Sequence, residues 1–353
     1  MNVDKEYCMS SFLMYRTIAD RNKQFSEKVI PNLYTDIAEK TAIKDSNDLE
    51  KALETQIKMC TKDGKAALAL SGGIDSAVLA KFMPEGSTVY TFKCIVPGIK
   101  VIDETVAAAK YAKECGLIHN IIEIHWEDFE KFAPILMLHK GAPIHSIEVQ
   151  IYKACLKAKE DGFERIIFGE SADLNYGGLS GLMSKDWKIG EFIDRYSYVK
   201  PYHVLKNPVS VYEPIKQYEN DGYINVHEFC RGFFLEEAMG SYSNACQTAG
   251  IELVTPYVTT RLEAPLDLQR IRKGENKYLI REVFNRLYND FETPVKTPMP
   301  RPTNEWLINW KGPSRPEFYP HCTDEMTGDQ KWLVMAMEIF LNMLESGYIN
   351  ENK

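Results

Sequence analysis

The segment Ser-Gly-Gly-Ile-Asp-Ser, residues 71–76, has the residue types and spacing to bind a phosphate chain. Its two glycines let the backbone pass closely around an anion. The amides that follow, at the start of a predicted helix, point partial positive charge at that anion, and the two serines add hydroxyl donors. Asp75 would repel a phosphate, so its carboxylate is better explained as a ligand of a magnesium ion that bridges phosphates. A tight turn with a capping aspartate is the alternative explanation.

The elements around this segment favour the phosphate-binding interpretation. Residues 66–70 form a short apolar run typical of a buried strand, and a helix is predicted over residues 75–82. The other predicted elements are strands at 89–96, 121–124 and 165–168, a helix after Asp103 and a helix from Ile147. This alternation predicts an α/β fold with a doubly wound parallel sheet. In one common winding, residues 71–76 would meet residues 169–178 at the switch point, where such sheets bind ligands.

The first segment resembles the Ser-Gly-Gly-x-Asp-Ser mark of the PP-loop ATP pyrophosphatases. That superfamily includes asparagine synthetases, NAD and GMP synthetases and enzymes that modify tRNA bases. Its members cleave ATP between the α and β phosphates and form an adenylated intermediate. The resemblance implies a sheet of the PP-loop ATP pyrophosphatase type, with ATP and Mg²⁺ as cofactors. The nucleotide-binding residues that it implies are Leu70, Ser71, Gly72, Gly73, Asp75, Ser76, Cys94 and Gly169.

Residues 169–178, Gly-Glu-Ser-Ala-Asp-Leu-Asn-Tyr-Gly-Gly, resemble the Gly-Glu-x-x-Asp-Glu-x-Phe-Gly-Gly segment of the asparagine synthetases. The resemblance implies that Asp173 supplies a second magnesium carboxylate opposite the first. It also implies that Glu170 is the general base for the incoming nitrogen. Two positions differ: Ser171 replaces a glycine, and Leu174 replaces an acid. The change at Leu174 leaves the metal pair intact and bears on contacts of the helical lobe or on substrate choice. The alternative explanation of residues 169–178 is structural: the end of a strand, a helix cap and a Gly-Gly turn.

Two lysines match later elements of the same family. Lys296 lies ten residues before Trp306 in a proline-rich stretch and resembles the lysine that neutralises charge on the α-phosphate and the tetrahedral intermediate. Lys277 resembles the family's lysine that touches the departing pyrophosphate. The alternatives are a solvated lysine in a stiff linker for Lys296, and ordinary i,i+4 charge pairing for Lys277 and Arg281.

Three regions are expected along the chain. They are an N-terminal helical segment at 1–62, a PP-loop ATP-binding α/β domain at 63–178 and a mainly helical lobe at 179–353 that completes the active site. Strand patterns fade after residue 179. Residues 249–257 resemble one more family element, with Val254 at the position of its arginine. A glutaminase domain is not expected, because its cysteine nucleophile is replaced by Asn2 and about sixty residues are too few for such a domain.

Composition limits the class of protein. The 353 residues include 42 Lys and Arg against 50 Asp and Glu, for a net charge of −8, which is a poor match for binding nucleic acid through phosphates. The eight cysteines contain no Cys-x-x-Cys pair, which favours free thiols in a reducing compartment over a zinc site or disulfides. Neither a membrane span nor a secretion signal is evident. We therefore expect a cytoplasmic protein without membrane partners.

Together these patterns predict a ligase that uses ATP and magnesium to adenylate a small-molecule carboxylate. AMP and pyrophosphate would be released, and ammonia, free or from a separate glutaminase partner, would form the amide. Three alternatives stay open. A cyclising, lactam-type synthetase would carry the amine on its substrate, a tRNA-modifying PP-loop enzyme would act on nucleic acid, and an inactive binding homologue would explain Ser171, Leu174 and Val254.

Overall fold

A computed structural model describes residues 1–294 and 299–348, so Lys296 lies outside the described residues. The strands are β1 (Asn2–Val3), β2 (Lys23–Gln24), β3 (Thr41–Ile43), β4 (Ala66–Ala69), β5 (Thr88–Cys94), β6 (Ile118–Ile124), β7 (Arg165–Ile167), β8 (Glu219–Asn220), β9 (Tyr223–Ile224), β10 (Glu252–Val254) and β11 (Thr260–Leu262). The first helices are α1 (Lys5–Tyr15), α2 (Ser46–Thr61), α3 (Ile74–Phe82), α4 (Thr105–Glu114), α5 (Trp126–Lys140), α6 (Ile147–Glu160), α7 (Ala172–Asn175) and α8 (Ile189–Tyr196). The later helices are α9 (Pro201–Val204), α10 (Glu213–Lys216), α11 (Val226–Phe229), α12 (Leu235–Ala249), α13 (Leu268–Arg272), α14 (Tyr278–Leu287), α15 (Thr303–Trp306) and α16 (Gly328–Glu345), and a π-helical turn at Cys230–Phe234 joins α11 to α12.

Within the described residues, the main sheet has five parallel strands in the order β10-β7-β4-β5-β6. The strand that leads into residues 71–76 is β4, and it pairs with β5 on one side and β7 on the other. The chain therefore winds outward from β4 to β6 and then returns to the opposite side of β4. The predicted doubly wound parallel sheet is confirmed, and the loops after β4 and β7 are neighbours at the switch point.

Helices cover both faces of this sheet because β4 is apolar on both of its faces. Ala67 and Ala69 enter a core formed with α5, α6, α12 and α16. Ala66 and Leu68 enter a second core formed with α2, α3, α4 and α14. Successive residues of a strand point to opposite faces, so the short run of small apolar residues contributes to both cores at once.

The edge strand β10 corrects the expectation that strands end near residue 179. Its residues pair in parallel with β7, with Val254 opposite Ile167. The strand has three residues, none of them fully buried, so it leaves too short an apolar run to be predicted from the sequence. The segment after α12 therefore extends the sheet instead of joining the helical layer.

The first 62 residues are only partly helical. Helix α1 begins after Asp4, whose side chain accepts a hydrogen bond from the backbone N–H of Tyr7, and its residues from Cys8 onward are buried. It packs against α9 and α16, so this segment is part of the folded core. All eight cysteines are free thiols. In the described part of the chain, no helix has the length and apolar character needed to cross a membrane.

Candidate active site

Residues 71–76 form a compact turn between β4 and α3 that its own serines hold together. The backbone N–H of Ser71 donates to Oγ of Ser76 at 2.9 Å, and the two hydroxyl oxygens are 3.0 Å apart. A side chain at Gly72 would place its Cβ 3.0 Å from Cβ of Ala107, so glycine lets this turn lie against α4. Gly73 is the N-cap of α3 and offers no side-chain cap. The first amides of α3 can therefore serve an anion.

The loop after β7 approaches this turn closely. A Cβ at Gly169 would lie 3.1 Å from the backbone nitrogen of Ser76, so a residue with a side chain would separate the two loops. Further along, a Cβ at Gly178 would lie 1.8 Å from Oδ1 of Asp173. The second glycine of the Gly-Gly pair therefore leaves the space that the Asp173 carboxylate occupies.

Lys277 joins the two aspartates. Its Nζ lies 2.6 Å from Oδ2 of Asp75 and 2.7 Å from Oδ1 of Asp173, and its side chain is only 5% exposed. Burial alone would lower the pKa of Lys277, but the charges of Asp75 and Asp173 raise it, so the side chain is an ammonium ion. Lys277 precedes α14 and has a left-handed φ of 53°. The structure thus pairs it with the aspartates and not with a helical neighbour.

These two carboxylates fit a magnesium ion. They already face one cation, and their nearest oxygens are at most about 5 Å apart because both contact the same nitrogen. Magnesium is bound by one or two carboxylates at about 2.1 Å together with water and phosphate oxygens. Among the described residues there is no group of three or more His, Cys, Asp or Glu arranged to hold a metal. An ion here would depend on phosphate and water for its other ligands.

Glu170 and Tyr242 form a pair at one side of the same loops. The Tyr242 hydroxyl and the backbone N–H of Ser171 hydrogen bond to the Glu170 carboxylate. Burial raises the pKa of Glu170, and the charges of Asp173 and Glu237 add to the increase, while the two hydrogen bonds oppose it. A carboxylate in such surroundings is a suitable proton acceptor near neutral pH. Tyr242 lies on α12, far along the chain, and no sequence motif marks it.

A cavity of about 200 Å³ connects these groups. Residues from the predicted site that line it are Leu70, Ser71, Gly73, Asp75, Ser76, Gly169, Glu170, Asp173 and Lys277. Glu104, Tyr242 and Arg281 also line it. Burial raises the pKa of Glu104 to about 7, although the backbone N–H of Gly72 donates to its carboxylate and lowers it. Glu104 and Tyr242 are site residues that sequence reasoning missed.

Two residues that were predicted to bind the nucleotide, Gly72 and Cys94, are not part of the cavity lining. Gly72 contributes its amide to Glu104, as described, and does not line the cavity. Cys94 is 2% exposed, and its Sγ donates a hydrogen bond to the carbonyl oxygen of Pro300 at 3.3 Å. Its role in nucleotide binding stays a prediction. Lys296 belongs to the part of the chain outside the described residues, so its catalytic role also stays a prediction.

Arg16, from the N-terminal segment, forms an ion pair with Glu237 near this site. Nη2 of Arg16 donates to Oε2 of Glu237 at 2.8 Å, and the side chains are 12% and 0% exposed. The guanidinium also lies 3.8 Å from the ring centroid of Tyr198. Since the charge of Glu237 raises the pKa of Glu170, this buried ion pair is close enough to influence the candidate base.

Three solved structures resemble the chain at low identity. They are NMN synthetase from Francisella tularensis (12% identity, 72% of this chain, 99% of that chain, TM-score 0.29), the U34-tRNA thiolase NcsA from Methanococcus maripaludis (15%, 71%, 83%, 0.27) and the NH3-dependent NAD synthetase from Campylobacter jejuni (13%, 72%, 100%, 0.27). No curated protein sequence matches the chain. The sequence model described as asparagine synthase matches residues 48–347. Because this match covers most of the chain, the protein belongs to the asparagine synthase family.

Proposed function

We propose that this protein is an ATP-dependent ligase that activates a small carboxylate by adenylation and transfers ammonia to it. The products would be an amide, AMP and pyrophosphate. One observation carries the proposal: the turn at residues 71–76, the aspartate pair and a half-buried glutamate all line a single cavity. Each of these groups suits a different step of such a reaction, and family membership supports the ligase class.

The turn at residues 71–76 would bind the β and γ phosphates of ATP. Its first helical amides and the hydroxyls of Ser71 and Ser76 supply donors, and Lys277 supplies positive charge. Asp75 and Asp173 would hold Mg²⁺, which when bound withdraws charge from the phosphates and stabilises the departing pyrophosphate. The substrate carboxylate oxygen can then form a bond to the α-phosphorus as the bond from that phosphorus to the bridging oxygen breaks.

Glu170 would act in the second step. Ammonia forms a bond to the acyl carbon, the bond from that carbon to the AMP oxygen breaks, and the attacking nitrogen loses a proton to the Glu170 carboxylate. The raised pKa of Glu170 makes it a better base than an exposed glutamate. The Tyr242 hydroxyl fixes the carboxylate in place without touching the reacting atoms, so we assign Tyr242 as a positioning residue.

A screen for pyrophosphate release, with ATP, Mg²⁺, ammonium and a panel of carboxylic acids, tests this function. Acceptors that respond should be labelled with ¹⁸O in the carboxylate, because adenylation leaves one of those oxygens on AMP. We expect ¹⁸O-labelled AMP, pyrophosphate and an amide, and no reaction by Asp75→Asn. Formation of ADP and phosphate would refute adenylation. An amide formed without ammonium would indicate a cyclising synthetase, and a salt-dependent complex with tRNA would indicate the tRNA-modifying class.

A further inference from the structure

The two edges of the main sheet differ in how open they are. At one edge lies β10, which has three residues. At the other edge lies β6, which has seven residues and pairs with β5 over its whole length without a bulge. In the described part of the chain, no further strand pairs with β6. Native proteins keep free edges short or interrupt them, because unpaired N–H and C=O groups attract another strand. The β10 edge follows this rule, and the β6 edge does not.

The β6 strand lacks the residues that usually protect an edge. Its sequence, Ile-His-Asn-Ile-Ile-Glu-Ile, has no Lys, Pro or Gly. Two of its isoleucines, Ile118 and Ile121, are 55% and 50% exposed, whereas Ile122 and Ile124 enter the core formed with α5 and α6. Single exposed isoleucines are common on protein surfaces. Two of them on one long edge strand indicate a surface that another strand covers.

The hydrogen bonds between β5 and β6 show which backbone groups face the open edge. The N–H of Ile118 donates to the carbonyl oxygen of Ser87, and the carbonyl oxygen of Ile124 accepts from the N–H of Ile95. The N–H and C=O of one strand residue point to the same side of the strand, and those of the next residue point to the opposite side. The even-numbered residues of β6 therefore bond to β5, and the backbone groups of the odd-numbered residues point outward.

The outward-facing residues of β6 are His119, Ile121 and Glu123. A two-fold axis through Ile121, perpendicular to the sheet, places this strand antiparallel to its own copy. Ile121 then faces itself, His119 faces Glu123 of the other copy, and each facing pair exchanges two hydrogen bonds. This register uses all the outward groups and brings no like charges together. A register centred on Glu123 would instead set two carboxylates opposite each other, which is destabilising.

We infer that the β6 edge is a self-association surface through which two copies of this chain form a dimer. The two five-stranded sheets then join into one continuous sheet. Because the same strand serves both copies, the contact is closed by the two-fold axis and does not grow into a fibre. The short β10 strand stays at each outer end of the joined sheet. The inference is independent of the proposed reaction, since β6 carries none of the residues that line the cavity.

Sedimentation velocity over a concentration series tests the dimer. We would compare the parent, Ile121→Lys, Ile121→Glu and the control Ile308→Lys, which adds the same charge at an exposed isoleucine outside the sheet. The parent should sediment as a dimer that dissociates on dilution, and so should Ile308→Lys. Ile121→Lys and Ile121→Glu each set two like charges opposite one another at the axis, so each should weaken dimerisation at least about 100-fold.

Mixing the two charged variants tests the register. Because Ile121 faces its own copy, an equimolar mixture of Ile121→Lys and Ile121→Glu should form mixed dimers, which are captured when only one variant carries an affinity tag. If circular dichroism shows that either variant does not fold, Ile121→Thr, which keeps the β-branched shape, takes its place in sedimentation and should also weaken the dimer. A parent that is monomeric at every concentration, a dimer that Ile121→Lys leaves intact, or a mixture without mixed dimers would overturn the inference.

Discussion

The hydrogen bond between Tyr242 and Glu170 leads to a prediction about pH dependence. The hydroxyl stabilises the ionised carboxylate and so lowers its pKa, against the larger effect of burial. Replacing Tyr242 by Phe removes this donor and keeps the ring that packs edge-on against Phe168 at 5.0 Å. The pKa of Glu170 should rise, and the protonated form, which cannot accept a proton from nitrogen, should persist to higher pH. The acid limb of the pH profile should therefore shift upward.

The size of this effect follows from the charge on the acceptor. A hydrogen bond to an ionised group contributes about 1.5 kcal/mol or more, and about 1.4 kcal/mol corresponds to a factor of ten. On the acid limb, Tyr242→Phe should therefore reduce kcat/KM for amide formation about tenfold. At high pH, where Glu170 is ionised in both proteins, the two rates should converge. Glu170→Gln has no base at any pH and should lose about 100-fold or more throughout.

The assay is amide formation against pH at fixed total ammonium, with both proteins measured in the same buffers. The free ammonia fraction then changes equally for both. Tyr176→Phe is the matched control, because this tyrosine is also buried but its hydroxyl meets the neutral Thr260. Superimposable profiles for Tyr242→Phe and the parent, or a shift of the acid limb to lower pH, would refute the assignment of Glu170 as the base.

Three other outcomes are expected. Asp173→Asn should lower turnover at least about 100-fold in the pyrophosphate assay, since the metal clamp supplies several kcal/mol; near-normal turnover would exclude Asp173 as a ligand. Arg16→Met leaves the fully buried Glu237 without its partner, so the free energy of unfolding measured with denaturant should fall by about 3–5 kcal/mol. As a control, Arg21→Met removes an exposed ion pair and should lower this free energy by about 1 kcal/mol or less. Lys296→Met should bind ATP within a few-fold of the parent and lose about 100-fold or more in turnover. Lys296→Arg should behave in the same way, because a planar guanidinium does not replace a compact ammonium. Unchanged turnover by Lys296→Met would return this lysine to the linker interpretation.

The turn at residues 71–76 and its position were predictable because their signals are local. A buried apolar run, two glycines and a helix start are consecutive in sequence, and the structure has β4, the turn and α3 at these positions. The meeting of residues 71–76 with residues 169–178 was also predictable. Alternating strands and helices permit few windings of the chain. The winding observed here places β7 beside β4.

Other features depend on parts of the chain that meet only after folding. The strand β10 is short and half-exposed, so its pairing with β7 has no local signal. Tyr242 approaches Glu170 from a helix that carries no motif, and Arg16 reaches Glu237 from outside the segment that matches the family. In each case the contact is set by packing between distant elements.

The charged residues of the site also have some properties that follow from the sequence and others that only the folded structure decides. From the sequence, Asp75 and Asp173 could be predicted to face one another, because each belongs to a motif that directly follows a strand. Those two strands, β4 and β7, are neighbours in the sheet. Burial, however, is a property of the folded chain, and it raises the pKa of Glu170 and of Glu104. The contact of one lysine with both aspartates likewise requires α14 to pack against α3. Residue types follow from the sequence, whereas their protonation and partners are decided by tertiary structure, because desolvation and Coulomb energies depend on distances in space.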